Sequence, residues 1–247
     1  MKKYFAVLMV VAGLLAVSCG KDNNGGGSTK DPQTQDDSNL PASLKGTNYF
    51  PIILGGDAAE AIKDKIVYDL RPNEEAGRRL DVWSAGETYT AGEAPGTNFY
   101  GEIGYTQLIC AAPDKWSGGG ITNAPAADVA KFADIAAHPD QYYFHVGYKG
   151  KANEAHLLRA FGLNGSNDVY PFAVGQGSVN IDGTDYAAVA PKDGAFEAGE
   201  WLEYEFKISD MGLNFAGTAP DTYILTFLSG NNPGAELSLD AIFIYKK

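Results

Sequence analysis

The apolar positions of this chain fall into three regimes. Residues 4–17 form an apolar run behind Lys2 and Lys3. Residues 20–39 are polar and Gly-rich at their start, with no period. From Leu40 onward, short apolar segments recur between clusters of Gly, Pro, Asn and Asp, as at 118–120, 164–165, 182–183, 193–194 and 231–234. Stretches 49–54, 65–70, 79–83, 107–111, 141–148, 170–174, 200–208, 223–228 and 236–245 read as strands, being apolar and mostly rich in β-branched or aromatic residues. Two stretches read as helices: 57–63 with Asp57 as N-cap, and 126–137, where Val129, Phe132, Ala133 and Ala136 share a face. No internal repeat is visible.

Alternation within the strands predicts which faces are buried. In 201–208, Leu202, Tyr204, Phe206 and Ile208 point one way, while Trp201, Glu203, Glu205 and Lys207 point the other. That strand has a core face and a face expected in water, as an antiparallel sheet allows. The closing strand is apolar on both faces except at Ser238 and Asp240. A terminal strand buried on both sides has to insert into the middle of a sheet. Many short strands with turn signals between them predict an all-β fold, a sandwich of antiparallel sheets with one or two short helices in connections. Residues 40–247 are enough for a single such domain.

The N-terminal pattern describes an export signal: a positive start, an apolar core too short to span a bilayer, then small residues. The run Leu15-Ala16-Val17-Ser18-Cys19 resembles a bacterial lipobox, with Ala16 where the family prefers Leu. The resemblance implies that residues 1–18 are removed and that Cys19 becomes the first residue and carries the acyl chains, palmitate among them. The chain would then be held on a membrane by lipid. The ordinary alternative is a secretory signal with an incidental Cys. Residues 19–39 lack the apolar surface to offset ordering entropy and read as a tether spanning ~25 Å. Lys21-Asp22 resembles the signal that sends Bacteroidota lipoproteins to the outer face of the outer membrane, which implies a cell-surface location.

Charge and cysteine content narrow the partners. Lys2 and Lys3 are two of the 19 basic side chains, so the processed chain carries 17 against 31 acidic ones. Duplex nucleic acid needs clustered Lys and Arg and is excluded as a natural partner. With Cys19 acylated, Cys110 has no partner for an intramolecular disulfide. It lies in the apolar run 108–112 and reads as a small buried hydrophobe.

Residues 239–245 resemble the last strand of galactose-binding-like jelly rolls and carbohydrate-binding modules, and 199–206, opened by Gly199-Glu200-Trp201, resemble the strand pattern that precedes it. Segments 69–72, 80–83 with 86–89, and 116–120 are similar to pieces of glycan-associated surface lipoproteins of polysaccharide-utilisation systems. The resemblance covers most of residues 46–247. It implies a jelly-roll β-sandwich that binds a glycan, beside outer-membrane glycan-uptake proteins, with no cofactor except a possible structural calcium between first and last strands.

A glycan site needs aromatic faces for the apolar side of a pyranose ring, and planar polar groups for its hydroxyls. With 3 Trp, 14 Tyr and 12 Phe the chain has ample supply. Aromatics at loop mouths make the better platforms. Trp116 ranks first, beside Gly118-Gly119-Gly120, followed by Trp83, which leads into a Gly-containing turn, and Trp201. Tyr89 and Glu203 are further candidates, with Tyr100 and Tyr105 behind them. For each Trp the competing assignment is a core or loop-anchor role. Asp240, the one acid in the closing strand, calls for either a cation or hydrogen-bond donors. There is no nucleophile elbow, phosphate loop or metalloprotease helix. His145, in an aromatic strand, reads as structural. Three functions stay open: a non-catalytic glycan binder, a surface module binding protein, and a glycosidase or lyase, which needs two carboxylates facing across a cleft. Convergence of Trp83, Trp116 and Trp201 on one exposed patch would distinguish the first from the second.

The lipobox-like segment generates one direct expectation. Cys19→Ala should release the protein from the membrane fraction into the soluble one, read by fractionation and immunoblot. A variant that stays membrane-bound and is still cut after Ser18 would refute the lipid anchor.

Overall fold

A computed structural model describes residues 37–111, 116–123, 126–230 and 232–247. The signal, Cys19 and most of the tether lie outside the described residues. In chain order the strands are β1 (Thr47–Ile53), β2 (Leu80–Val82), β3 (Tyr89–Thr97), β4 (Ile103–Cys110), β5 (Ser117–Thr122), β6 (Tyr142–Lys149) and β7 (Ala155–Phe161). They continue as β8 (Val169–Gly175), β9 (Ser178–Ile181), β10 (Thr184–Ala187), β11 (Leu202–Lys207), β12 (Tyr223–Ser229) and β13 (Glu236–Lys246). Short helices α1 (Gly56–Ala61), α2 (Ala133–Ala137) and α3 (Ile208–Met211) sit in connections. One sheet runs β11-β6-β13-β4-β3, with β1 also on β13; the other runs β2-β5-β12-β7-β8; β9 and β10 form a separate hairpin. All strand pairs are antiparallel. This is the antiparallel β-sandwich of jelly-roll type that the sequence predicts.

The main core lies between the two sheets, where Phe144, Val146, Leu239 and Ile244 meet Leu158, Phe172, Leu225 and Phe227. A second apolar cluster covers the outer face of the first sheet. There Leu44, Leu54, Ala58 and Ile62 pack on Ala241, Phe243 and Tyr245. β13 is therefore buried on both faces, which is why its sequence is apolar on both.

Four local expectations need correction. Residues 65–70 form no strand: Lys63–Lys65 is a 3₁₀ turn, and the amides of Val67 and Leu70 reach the carbonyls of Tyr49 and Pro51. Bonds three residues apart break the two-residue period of a ladder. In α1, Asp57 is not the cap. Gly55 holds that place, and the Ala58 N–H is met at 3.0 Å by Glu102 from the β3–β4 turn. In 126–137, a 3₁₀ stretch precedes α2, so Ile135 and not Ala133 completes the buried face. Glu203 and Glu205 do not face open water. Glu203 pairs with Lys192, and Glu205 with Lys247 and the Tyr245 hydroxyl.

β5 replaces a stretch that reads as a turn. Its Gly119 approaches β2 and β12 so closely that a Cβ would lie 2.5 Å from the Asp81 carbonyl oxygen and 2.6 Å from the Phe227 ring. Glycine here is the only residue that lets three strands close up. Cys110 is buried, and burial raises its thiol pKa, as suits a packing role.

β13 carries an interruption. β4 pairs with it as far as Leu239, and β1 takes over from Ile242, so Asp240 and Ala241 are unpaired on that edge. Toward β6 the register also shifts, between Asp240 and Phe243. Ala241 adopts φ +50°, a left-handed conformation costly for a residue with a Cβ. Its carbonyl accepts a 2.6 Å hydrogen bond from Nδ1 of His145, which is fully buried and stacks flat on Phe243 at 4.6 Å. Asp240 is buried, and its Oδ2 accepts from the Phe99 N–H at 3.1 Å. Burial pushes its carboxyl up to about 6, against the opposing effect of the Ala241 and Phe99 N–H groups.

Two stability predictions follow from the interruption. His145→Phe keeps the stack on Phe243 but removes both the donor to the Ala241 carbonyl and the Nε2 contact with Glu203. It should cost about 1–3 kcal/mol in chemical denaturation; a loss below about 0.5 kcal/mol would show that the bulge stands without the bond. Asp240→Asn tests the carboxylate. Its folded pKa lies above the unfolded value, so its contribution is complete below about pH 4 and is lost as pH rises through about 6. Asn keeps an acceptor for Phe99 and removes the charge. The variant should be more stable than wild type at pH 7.5, by on the order of 2 kcal/mol, and equal to it at pH 4. Equal stability at both would mean the charge is compensated in the fold.

Candidate functional site

Four distant segments bring aromatic and basic side chains together on the outer face of the first sheet. Trp201 stands just before β11 and faces outward by the alternation that sends Leu202 and Tyr204 into the core. Its Nε1 donates to the Thr97 carbonyl at 2.7 Å, which fixes the ring. Tyr105 of β4 meets it edge to face at 5.2 Å, and Phe99 at 6.2 Å. Lys149 of β6 places Nζ 4.1 Å from the Tyr105 ring centre and 4.8 Å from that of Trp201. Trp201, Tyr105 and Lys149 are all half-buried, with part of each in solvent.

Glu203 lies on the same face of β11. Its Oε1 is 2.7 Å from Lys192 Nζ and 3.2 Å from His145 Nε2. Burial alone would raise its pKa, but His145 and Lys192 hold the carboxyl down to about 2. Glu205 is lowered too, burial being outweighed by Lys247, Tyr245 and Lys192. Neither acid carries the raised pKa that a glycosidase proton donor needs. They are ionised structural partners.

The interruption in β13 opens a cavity of about 530 Å³ beside this platform. Its lining takes in the ends of β1 and β4, Asp240, and Leu80 and Ile121 of the second sheet. Asp69, Arg71, Asn73 and Glu93 are among its polar lining, and Tyr105 belongs to both cavity and platform. Arg71 grips Asp69 through Nε and Nη2, at 2.9 and 2.6 Å, and Nη1 donates to the Leu54 carbonyl. That hydrogen-bonded pairing lowers the Asp69 pKa against the effect of burial.

Trp83 and Trp116 lie elsewhere. They meet edge to face at 5.7 Å on the outer side of the second sheet, over Gly118, where a Cβ would come within 2.5 Å of Trp83. Trp83 Nε1 donates to the Tyr223 hydroxyl at 2.9 Å. The three tryptophans therefore do not converge: Trp201 stands apart from the other two, so their placement does not by itself separate a glycan ligand from a protein one. Tyr89 is in the core, edge-on to Phe227, with no face for a ligand. Tyr100 bonds Ser43 beneath the N-terminal segment. Asp240 has backbone donors, and among the described residues no three His, Cys, Asp or Glu side chains converge on a point.

Lys149, Phe99 and the cavity residues Arg71, Asn73 and Glu93 were not legible as site residues. The signal that could have found Lys149 is its place on the outward phase of β6, in line with His145.

No family model matches this sequence, and no curated protein does. Several solved structures are similar to it at low identity. SGBP-B from a complex xyloglucan utilization locus in Bacteroides uniformis is 14% identical over 67% of this chain and 47% of its own, with a TM-score of 0.38. The family 11 carbohydrate-binding module of the cellulosomal cellulase Lic26A-Cel5E of Clostridium thermocellum is 12% identical over 69% of this chain and 87% of its own, at 0.37. TmCBM61, solved in complex with β-1,4-galactotriose, is 10% identical over 70% and 90%, at 0.35. This chain thus spans about half of SGBP-B.

Proposed function

We propose that this domain binds a glycan, without cleaving it, on the outer face of its first sheet. The observation that carries this reading is the Trp201–Tyr105–Lys149 cluster beside the cavity at the β13 interruption. A pyranose ring presents an apolar face to an aromatic edge or plane, and its hydroxyls find the Lys149 ammonium and the cavity rim. Trp and Tyr dominate such contacts because they bring a large rigid face and a polar tip. The lipobox-like segment supports a membrane-anchored surface protein that presents this face to polysaccharide, next to outer-membrane glycan-uptake proteins.

One observation favours assaying for chemistry as well. Asp240 has a raised pKa and lines the cavity with Asp69 and Glu93. Release of reducing ends from any bound glycan would turn the reading to a hydrolase.

Trp201→Ala should weaken glycan binding by about 1–3 kcal/mol on a glycan array followed by calorimetry, at unchanged melting temperature. Trp83→Ala should leave affinity unchanged, since that ring lies on the other sheet. The reverse pattern would move the site to the second sheet. Binding to purified surface proteins with none to glycans would favour the adhesive alternative.

A further inference from the structure

The aromatic platform is one end of a longer row, and strand register shows it. Lys149, Ser238 and Gln107 all face outward, because their neighbours Tyr148, Leu237, Leu239 and Leu108 point into the core. Ser238 stands opposite Lys149 on β6 and opposite Gln107 on β4, and Gln107 stands opposite Gly92 on β3. At the other end Trp201, one residue before the Leu202–Tyr148 pair, comes beside Lys149. These five residues cross the whole sheet, from edge strand β11 to edge strand β3. Four steps of about 4.8 Å make the row about 19 Å long, room for about four pyranose rings end to end.

The polar groups along it suit an uncharged polyol. Gln107 Nε2 donates to Ser238 Oγ at 3.5 Å, so the buried Ser238 steadies the amide from below. Among the described residues no other bond engages the Gln107 side chain, which both donates and accepts, as sugar hydroxyls do. Lys149 adds an ammonium that no described carboxylate pairs; Tyr105 and Trp201 hold it instead. Glu203 and Glu236, which flank the row, are matched by Lys192 at 2.7 Å and Lys151 at 2.6 Å.

The far end of the row is unobstructed. Gly92 is exposed, has no positive φ, and a Cβ there would meet nothing within 4 Å. A chain running along the row leaves over the edge of the sheet.

We infer that a linear, uncharged glycan lies across the strands along this row, stacked at Trp201 and hydrogen-bonded by Lys149 and Gln107. The site then reads three or four consecutive sugars and not a single terminal one. This rests on the glycan-binding reading above. Trp201 supplies grip for any length, while the half of the row toward β3 rewards length alone.

The test uses the full-length protein, titrated by calorimetry with ladders of one to six sugars from cello-, xylo-, manno- and galacto-oligosaccharides. At least one ladder should bind, with affinity rising about tenfold or more from two sugars to four and level beyond. Gln107→Ala should lose most of that gain and leave the two-sugar affinity unchanged. Gly92→Leu, which stands a side chain across the row, should do the same. Trp201→Ala should weaken every length. Thermal melts confirm that the variants fold. Affinity already complete at two sugars would overturn the extended row and leave the platform standing. So would a gain with length that neither Gln107→Ala nor Gly92→Leu reduces. Binding to no ladder would overturn the row too, and silence on a glycan array as well would overturn the glycan reading with it.

Discussion

β13 is hydrogen-bonded to three strands, and no single register serves all of them. β6 runs along one edge, while β4 and β1 divide the other between them. The change of partner is absorbed at Asp240 and Ala241, where one residue bends into the left-handed region and another buries a carboxylate. Both distortions cost free energy, and both are met by the same neighbourhood. His145 takes the displaced carbonyl, and Phe99 donates to the acid. The opening between β4 and β1, and so the cavity, exists because this strand changes partners.

The outer face of the first sheet shows how burial on two sides is achieved near a chain terminus. The segment from Leu40 through α1 folds back over Phe243 and Tyr245, so the last strand has a second core above it. That cover stops short of β4 and β11. Where it stops, the aromatic side chains of the sheet emerge, and Trp201, Tyr105 and Phe99 form the exposed cluster. Platform and cover are two halves of one face, divided near Phe99, whose ring touches both Tyr100 under the cover and Trp201 outside it.

Alternation made much of this legible in advance. The inward set Leu202, Tyr204 and Phe206, the central place of β13 and the sandwich class all follow from period-two burial. What escaped was set by long-range contact. Ser117–Thr122 is a strand because its glycines admit close neighbours, which propensity scores as a turn. Tyr89–Thr97 is largely polar and carries Pro95, so nothing in its apolar pattern marks it as a strand. Among the tryptophans, loop-mouth position suggested Trp116 and Trp83 first, yet the partners that assemble a platform around Trp201 come from residues 99, 105 and 149. Which strand lies beside which is a property of topology, and no local window contains it.

The pairing of β1 with β13 also governs when the domain can exist. Thr47 lies opposite Lys246, so a ladder at the heart of the sheet joins the first strand to the last. Loop-closure entropy opposes that contact until everything between has begun to collapse, and topologies rich in such contacts fold slowly. During synthesis β1 lacks its ladder partner, and β6 and β4 lack the strand that unites them, until β13 has been made. Until β13 arrives, then, the first sheet has neither its central ladder nor the partner change that shapes its outer face.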